Sequence, residues 1–68
     1  MNSVQRGFEY EETTARKTAQ AGDINGMGRH LSAAHALAVW ADTTLLGRYQ
    51  ELEDQCWKEY EAWKTTTR

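Results

Sequence analysis

Between Ile24 and Trp63, apolar residues recur at steps of three and four: Ile24, Met27, Leu31, Ala34, Ala38, Ala41, Leu45, Tyr49, Leu52, Cys56, Tyr60 and Trp63. That spacing keeps all of them on one side of an α-helix. The chain contains no proline to interrupt the run, and most residues along it are good helix formers. The pattern predicts one long helix over about 24–64, or two nearly collinear ones, which at 1.5 Å per residue would extend about 60 Å. Its core seam is Leu31, Ala38, Leu45, Tyr49, Leu52, Cys56, Tyr60 and Trp63.

A helix of that length needs cover, and a chain of 68 residues has little to offer. A single core of this size supplies about 3–5 kcal/mol, so small domains lean on disulfides, a metal or oligomerisation. Cys56 is the only cysteine, so no intrachain disulfide can form, which suits a reducing cytoplasm. No Cys/His group has zinc spacing, and no cofactor is implied. Oligomerisation is left as the expected source of extra stability. The N-terminal stretch MNSVQRGFEYEE lacks the apolar segment of a signal peptide, and no apolar run is long enough to span a membrane. The expected location is the cytoplasm.

Ser3 is placed to cap a first helix over about 4–21, whose apolar stripe is Val4, Phe8, Ala15 and Ala19. Phe8 reads as a core anchor, Tyr10 as solvated, and Glu12 as an i,i+4 partner for Arg16. A turn over 22–28 follows. Gly22 suits the residue after a helix end and Asp23 suits an N-cap, and so short a connection makes the two helices antiparallel neighbours. Gly26 and Gly28 should delay regular helix until about Arg29. Calcium-loop, phosphate-loop and tetratricopeptide readings of this turn all fail on spacing or context.

From Ser32 to Leu46 the long helix is apolar nearly all round. Trp40 lies about 180° from Leu31, flanked by Leu37 and Thr44, so one short helix cannot cover both sides. The simplest cover is a second copy of the chain. The expected fold is therefore all-α: an antiparallel helical hairpin with one long C-terminal helix, completed into a bundle by dimerisation. Leu37, Trp40, Thr44, Leu46 and Trp57 are the candidate residues of a self-association or partner interface. Asp42-Thr43-Thr44 and Gly47 form the one possible break, since Asp and Thr favour caps and glycine weakens helix. A three-helix chain breaking at 42–47 is the alternative architecture. The tail 65–68 should fray.

Catalytic groups do not converge in the sequence. His30 and His35 diverge by about 140° around a helix and cannot share a metal. Ser32 and His35 lie one turn apart without a nearby acid at helical spacing, and His35 reads as a core or interface histidine. Cys56 on the seam reads as a small buried hydrophobe. Residues 51–61 carry Glu51, Glu53, Asp54, Glu59 and Glu61 against Lys58 alone, a solvated acidic face. Net charge is −2, and Arg6, Arg16, Lys17, Arg29 and Arg48 form no helical basic stripe, so nucleic acid is not an expected partner.

In size and composition the whole chain, short, proline-free and without an active site, resembles the small helical accessory proteins of temperate, lambda-like bacteriophages. No residue is carried over from that likeness. It implies modulation of a host or phage protein by direct binding. The residues lead to the same class: a non-enzymatic α-helical interaction module, homodimeric, with a protein target, no membrane association and no cofactor. The competing reading is a small helical nucleic-acid-associated regulator.

Overall fold

The computed structural model describes residues 2–66. All regular structure in it is helical: α1 Ser3–Gln20, α2 Ile24–Ala36 continuing as a π-helical turn Leu37–Ala41, then a 3-10 turn Thr43–Leu45 leading into α3 Leu46–Thr66. The molecule measures 41 × 18 × 17 Å, much shorter than a forty-residue helix. The expected single helix over 24–64 is thus corrected to two, and the alternative break is the one adopted.

The first connection follows the sequence closely. Gly22 takes φ +75°, its N–H bonds to Ala19 O at 3.1 Å, and Asp23 N–H reaches Thr18 O at 2.9 Å. These two bonds close the end of α1 with a Schellman turn. Asp23 then caps α2, its Oδ1 accepting from Gly26 N–H at 2.9 Å. The cap holds regular helix from Ile24, five residues earlier than the glycines suggest. At the other end of α1, Asn2 is the N-cap, accepting from Gln5 N–H at 2.8 Å, and Ser3 is already helical. In α3 the helix runs through residues 65 and 66, while the rest of the expected frayed tail, 67 and 68, lies outside the described residues.

The second connection turns on one residue. Asp42 is extended (φ −152°, ψ 97°), and its N–H bonds to Leu37 O at 2.9 Å, closing the π turn. Its carboxylate accepts from Thr44 N–H at 3.0 Å and from Thr44 Oγ1 at 2.6 Å, and its carbonyl accepts from Leu45 N–H at 3.1 Å. The chain reverses here, so α3 runs back along α1 and α2. Arg48 reaches Glu12 near its start, and Trp63 packs on Gly22 near its end.

Magnitudes explain why the chain folds back. A straight helix would leave Leu45, Leu52 and Cys56 without cover, whereas all three are buried in the bundle. Burying a leucine side chain is worth about 1.5–3 kcal/mol. The few backbone bonds interrupted at the turn are worth about 0.5–1.5 kcal/mol each, and several are replaced by the bonds to Leu37 and Asp42. Burial wins.

The core is formed by Phe8, Ala15 and Ala19 from α1, Met27, Leu31 and Ala34 from α2, Ala38 from the π turn, Leu45, and Leu52 and Cys56 from α3. The alanines let the helix axes approach, and Phe8, Met27 and Leu52 fill the space between them. Of the expected seam, Leu31, Ala38, Leu45, Leu52 and Cys56 are buried, and Tyr49, Tyr60 and Trp63 are partly so. Ile24 and Ala41, at the ends of the α2 stretch, are exposed instead. α3 covers the seam, while Trp40 on the opposite side, for which the sequence suggests a second copy as cover, is exposed.

Candidate functional site

What α3 does not cover is the far side of the π turn. Trp40 is 86 % exposed, on the rim of a groove of about 570 Å³ between α1 and α2. The groove is lined by Gly7 and Tyr10 from α1 and by Ala33, Ala36, Leu37, Trp40 and Ala41. The 3.6-residue period brings Ala33 and Ala36 to the same side as Leu37 and Trp40. Gly7 stands opposite Leu37, with room for one further methyl at ordinary contact distance. Glu11 closes one edge. Its Oε1 lies 2.9 Å from His30 Nδ1, and Tyr10 meets the same imidazole edge-on, with ring centroids 6.4 Å apart.

The expected interface residues divide into three places. Leu37 and Trp40 share the groove. Thr44 and Leu46 lie at the hairpin, where the Thr44 hydroxyl donates to the Asp42 carboxylate and Leu46 is exposed. Trp57, also exposed, stands far down α3 with its ring edge-on to Tyr60, centroids 6.0 Å apart. Thr44 is held by the Asp42 cap through its N–H and its hydroxyl, and Trp57 lies on α3, apart from Trp40 on the π turn. Tyr10, Glu11, Gly7 and Ala33 were not expected at the site. They reach it only because α1 packs alongside α2, and no periodic pattern in one helix reports that.

A second concavity, about 420 Å³, is lined by Ser32, His35, Tyr49, Gln50 and Glu53. The Tyr49 hydroxyl donates to Glu53 Oε2 at 3.0 Å, and the His35 ring lies against Tyr49 with centroids 5.0 Å apart. Burial, and then the Glu53 hydrogen bond, push the Tyr49 hydroxyl up to about 12. Ser32, His35 and a carboxylate thus share a surface that the sequence did not bring together, since Glu53 arrives from α3. They do not form a relay. Glu53 is engaged by Tyr49, and among the described residues no hydrogen bond links Ser32 to His35 or His35 to Glu53. His35 is exposed, so of the core and interface roles expected for it the core one does not hold.

Cys56 is fully buried, and burial pushes its thiol up to about 11, with the charge of Glu59 acting in the same direction. A thiol in that state is a packing group, not a nucleophile. Among the basic residues, Arg48 is engaged by Glu12: Nη2 donates to Glu12 Oε1 at 2.8 Å and Nε to Glu12 Oε2 at 3.1 Å. Glu12 therefore faces Arg48 and not Arg16, as helical spacing had suggested. No group of three or more acidic, histidine or cysteine side chains is disposed to hold a metal among the described residues, and no described helix is long and apolar enough to cross a membrane. Comparison with protein-family models, curated proteins and solved structures finds no match to this chain.

Proposed function

We propose that this chain is a non-enzymatic helical interaction module, an accessory or regulatory protein that acts by binding another protein through the Trp40 groove. The observation that carries the reading is an 86 % exposed tryptophan beside an apolar groove whose lining includes one glycine and three alanines. Tryptophan is among the residues most enriched at interface hot spots, and an apolar groove can admit the apolar row of an amphipathic helix. Covering about 200 Å² of Trp40 would contribute about 5 kcal/mol before the costs of association. Likeness to phage accessory proteins in size and composition supports the same class. Self-association belongs to the proposal as well, by the route inferred below.

The test compares parent and Trp40→Glu as bait in bacterial lysate, with the melting temperature of each recorded. Proteins retained by the parent and lost with Trp40→Glu, at unchanged melting temperature, support the reading. Retention of the same proteins by both would end it. Salt-sensitive retardation of DNA or RNA, lost on changing Arg29 and Arg48 to Ala, would promote the nucleic-acid reading instead.

A further inference from the structure

We infer that two copies of this chain pair by exchanging α3, with Asp42 as the hinge. From Ile24 to Thr66, Asp42 is the one residue outside a helical conformation. The closed chain therefore differs from a straight one mainly in the φ and ψ of a single residue, together with relaxation of the π turn before it. Nothing in the segment 37–46 forbids a straight helix: it contains no proline, and among the described residues only Gly22 has a positive φ. A connection this short between two helices is of the kind that invites exchange.

The apolar stripe supplies the second observation. Leu31, Ala38, Leu45 and Leu52 follow one another at intervals of seven, and all four are buried in the closed chain. Two helices separated by a turn need share no common phase. These do, so the faces that α2 and α3 present to one core also form one continuous face when the hinge is straight. An opened chain then exposes a cleft on α1 and α2 from which α3 has left, and a detached α3 that fits the same cleft on a second copy. By two-fold symmetry each chain fills the other's cleft, and every contact of α3 is remade between chains.

Those contacts run the length of the helix. Near its start, Arg48 grips Glu12 of α1; further along, Glu59 Oε1 accepts from Gln20 Nε2 at 3.1 Å; near its end, Trp63 packs on Gly22. Exchange leaves the chemistry of each pair unchanged and alters only which chain supplies each half. The inference rests on the self-association proposed above, and it names the mode.

The hinge itself offers variants of opposite expected effect. Proline at 43 would suit the closed chain, because it fits the first residue of a helical turn and requires an extended residue before it, as Asp42 is. In a straight helix the same proline removes a hydrogen bond and collides with the carbonyl of Val39. Thr43→Pro should therefore lower the dimerisation constant at least about a hundredfold. Asp42→Ala removes the cap that holds the turn and should raise the dimer fraction several-fold.

The experiment refolds each full-length variant at low and high concentration and measures mass by light scattering. A second arm mixes Glu12→Arg with Arg48→Glu chains before refolding. Exchange restores an Arg–Glu pair at both sites only in the mixed dimer, so the mixed species should exceed the statistical half of all dimers. Mixed dimers at the statistical ratio, with Thr43→Pro dimerising like the parent, would overturn exchange and leave self-association by another surface standing. Chains that stay monomeric in every variant and at every concentration would overturn both.

Discussion

The indole of Trp63 lies so close over Gly22 that a Cβ at position 22 would overlap its ring carbons. One residue thereby joins two tasks: it makes the left-handed turn that ends α1, at φ +75°, and it leaves room for the last large aromatic of α3.

Gly22→Ala should therefore cost more than a backbone penalty alone. The left-handed conformation costs a non-glycine residue about 1–2 kcal/mol, and moving a packed ring adds about 1–3 kcal/mol. Urea unfolding should show a combined loss of about 2–5 kcal/mol. A loss of only the backbone share would mean that Trp63 moves aside freely.

Ala38→Asp tests the packing of the π turn. Ala38 is fully buried, and an unpaired carboxylate there costs several kcal/mol, of the order of the whole stability of a chain this size. Circular dichroism should show an unfolded or grossly destabilised variant. A normal melt would place Ala38 outside the core.

Trp40→Glu should behave oppositely. With its indole largely in water, Trp40 contributes little to folding, and the melting temperature should stay within a degree or two of the parent, in keeping with the small effects of surface substitutions. Its fluorescence, isolated by changing Trp57 and Trp63 to Phe, should be red-shifted and readily quenched by acrylamide. A blue-shifted, protected emission at low concentration would contradict the exposed rim.

Stability should fall at alkaline pH, and the sign follows from proton counting. The Cys56 thiol titrates near 11 in the folded chain against an ordinary 9.0, and Tyr49 near 12 against 10.0. Above pH 9 the unfolded chain releases a proton that the folded chain keeps, so rising pH favours unfolding until the folded groups titrate in turn. Urea midpoints should be level on this account up to about pH 8 and decline from about pH 9. Cys56→Ala should shallow the first part of that decline and Tyr49→Phe the later part. An unchanged slope in both variants would remove these two groups as its source.

Removing the Glu12–Arg48 pair should have a modest effect. Both side chains remain partly open to water, 16 % and 43 % exposed respectively, and such pairs couple by about 0.2–1 kcal/mol. Two-point contact puts this one toward the upper end of that range. A double-mutant cycle with Glu12→Gln and Arg48→Met would measure it, and the coupling should shrink in molar salt.

By itself the sequence determined that this chain is helical, where its first turn falls, and which face of each helix is apolar. Those are local matters: the period of the stripe, the left-handed preference of Gly22 and the capping chemistry of Asp23 need no distant partner. Caps could be displaced by one residue, as from Ser3 to Asn2, because adjacent side chains can serve the same N–H groups. Only the tertiary structure decided that the run from Ile24 to Trp63 is two helices and not one. A stripe in phase specifies a face and carries no information on the direction of the chain, so Leu31–Ala38–Leu45–Leu52 reads the same whether straight or folded at Asp42. The fold also decided what surrounds Trp40. Its position opposite the seam is visible in the helical period, but Gly7, Tyr10 and Glu11 join it from α1, across a helix–helix contact. Burial of Leu45, Leu52 and Cys56 outweighs the few hydrogen bonds given up at the turn, and that comparison is made only between segments far apart in the chain.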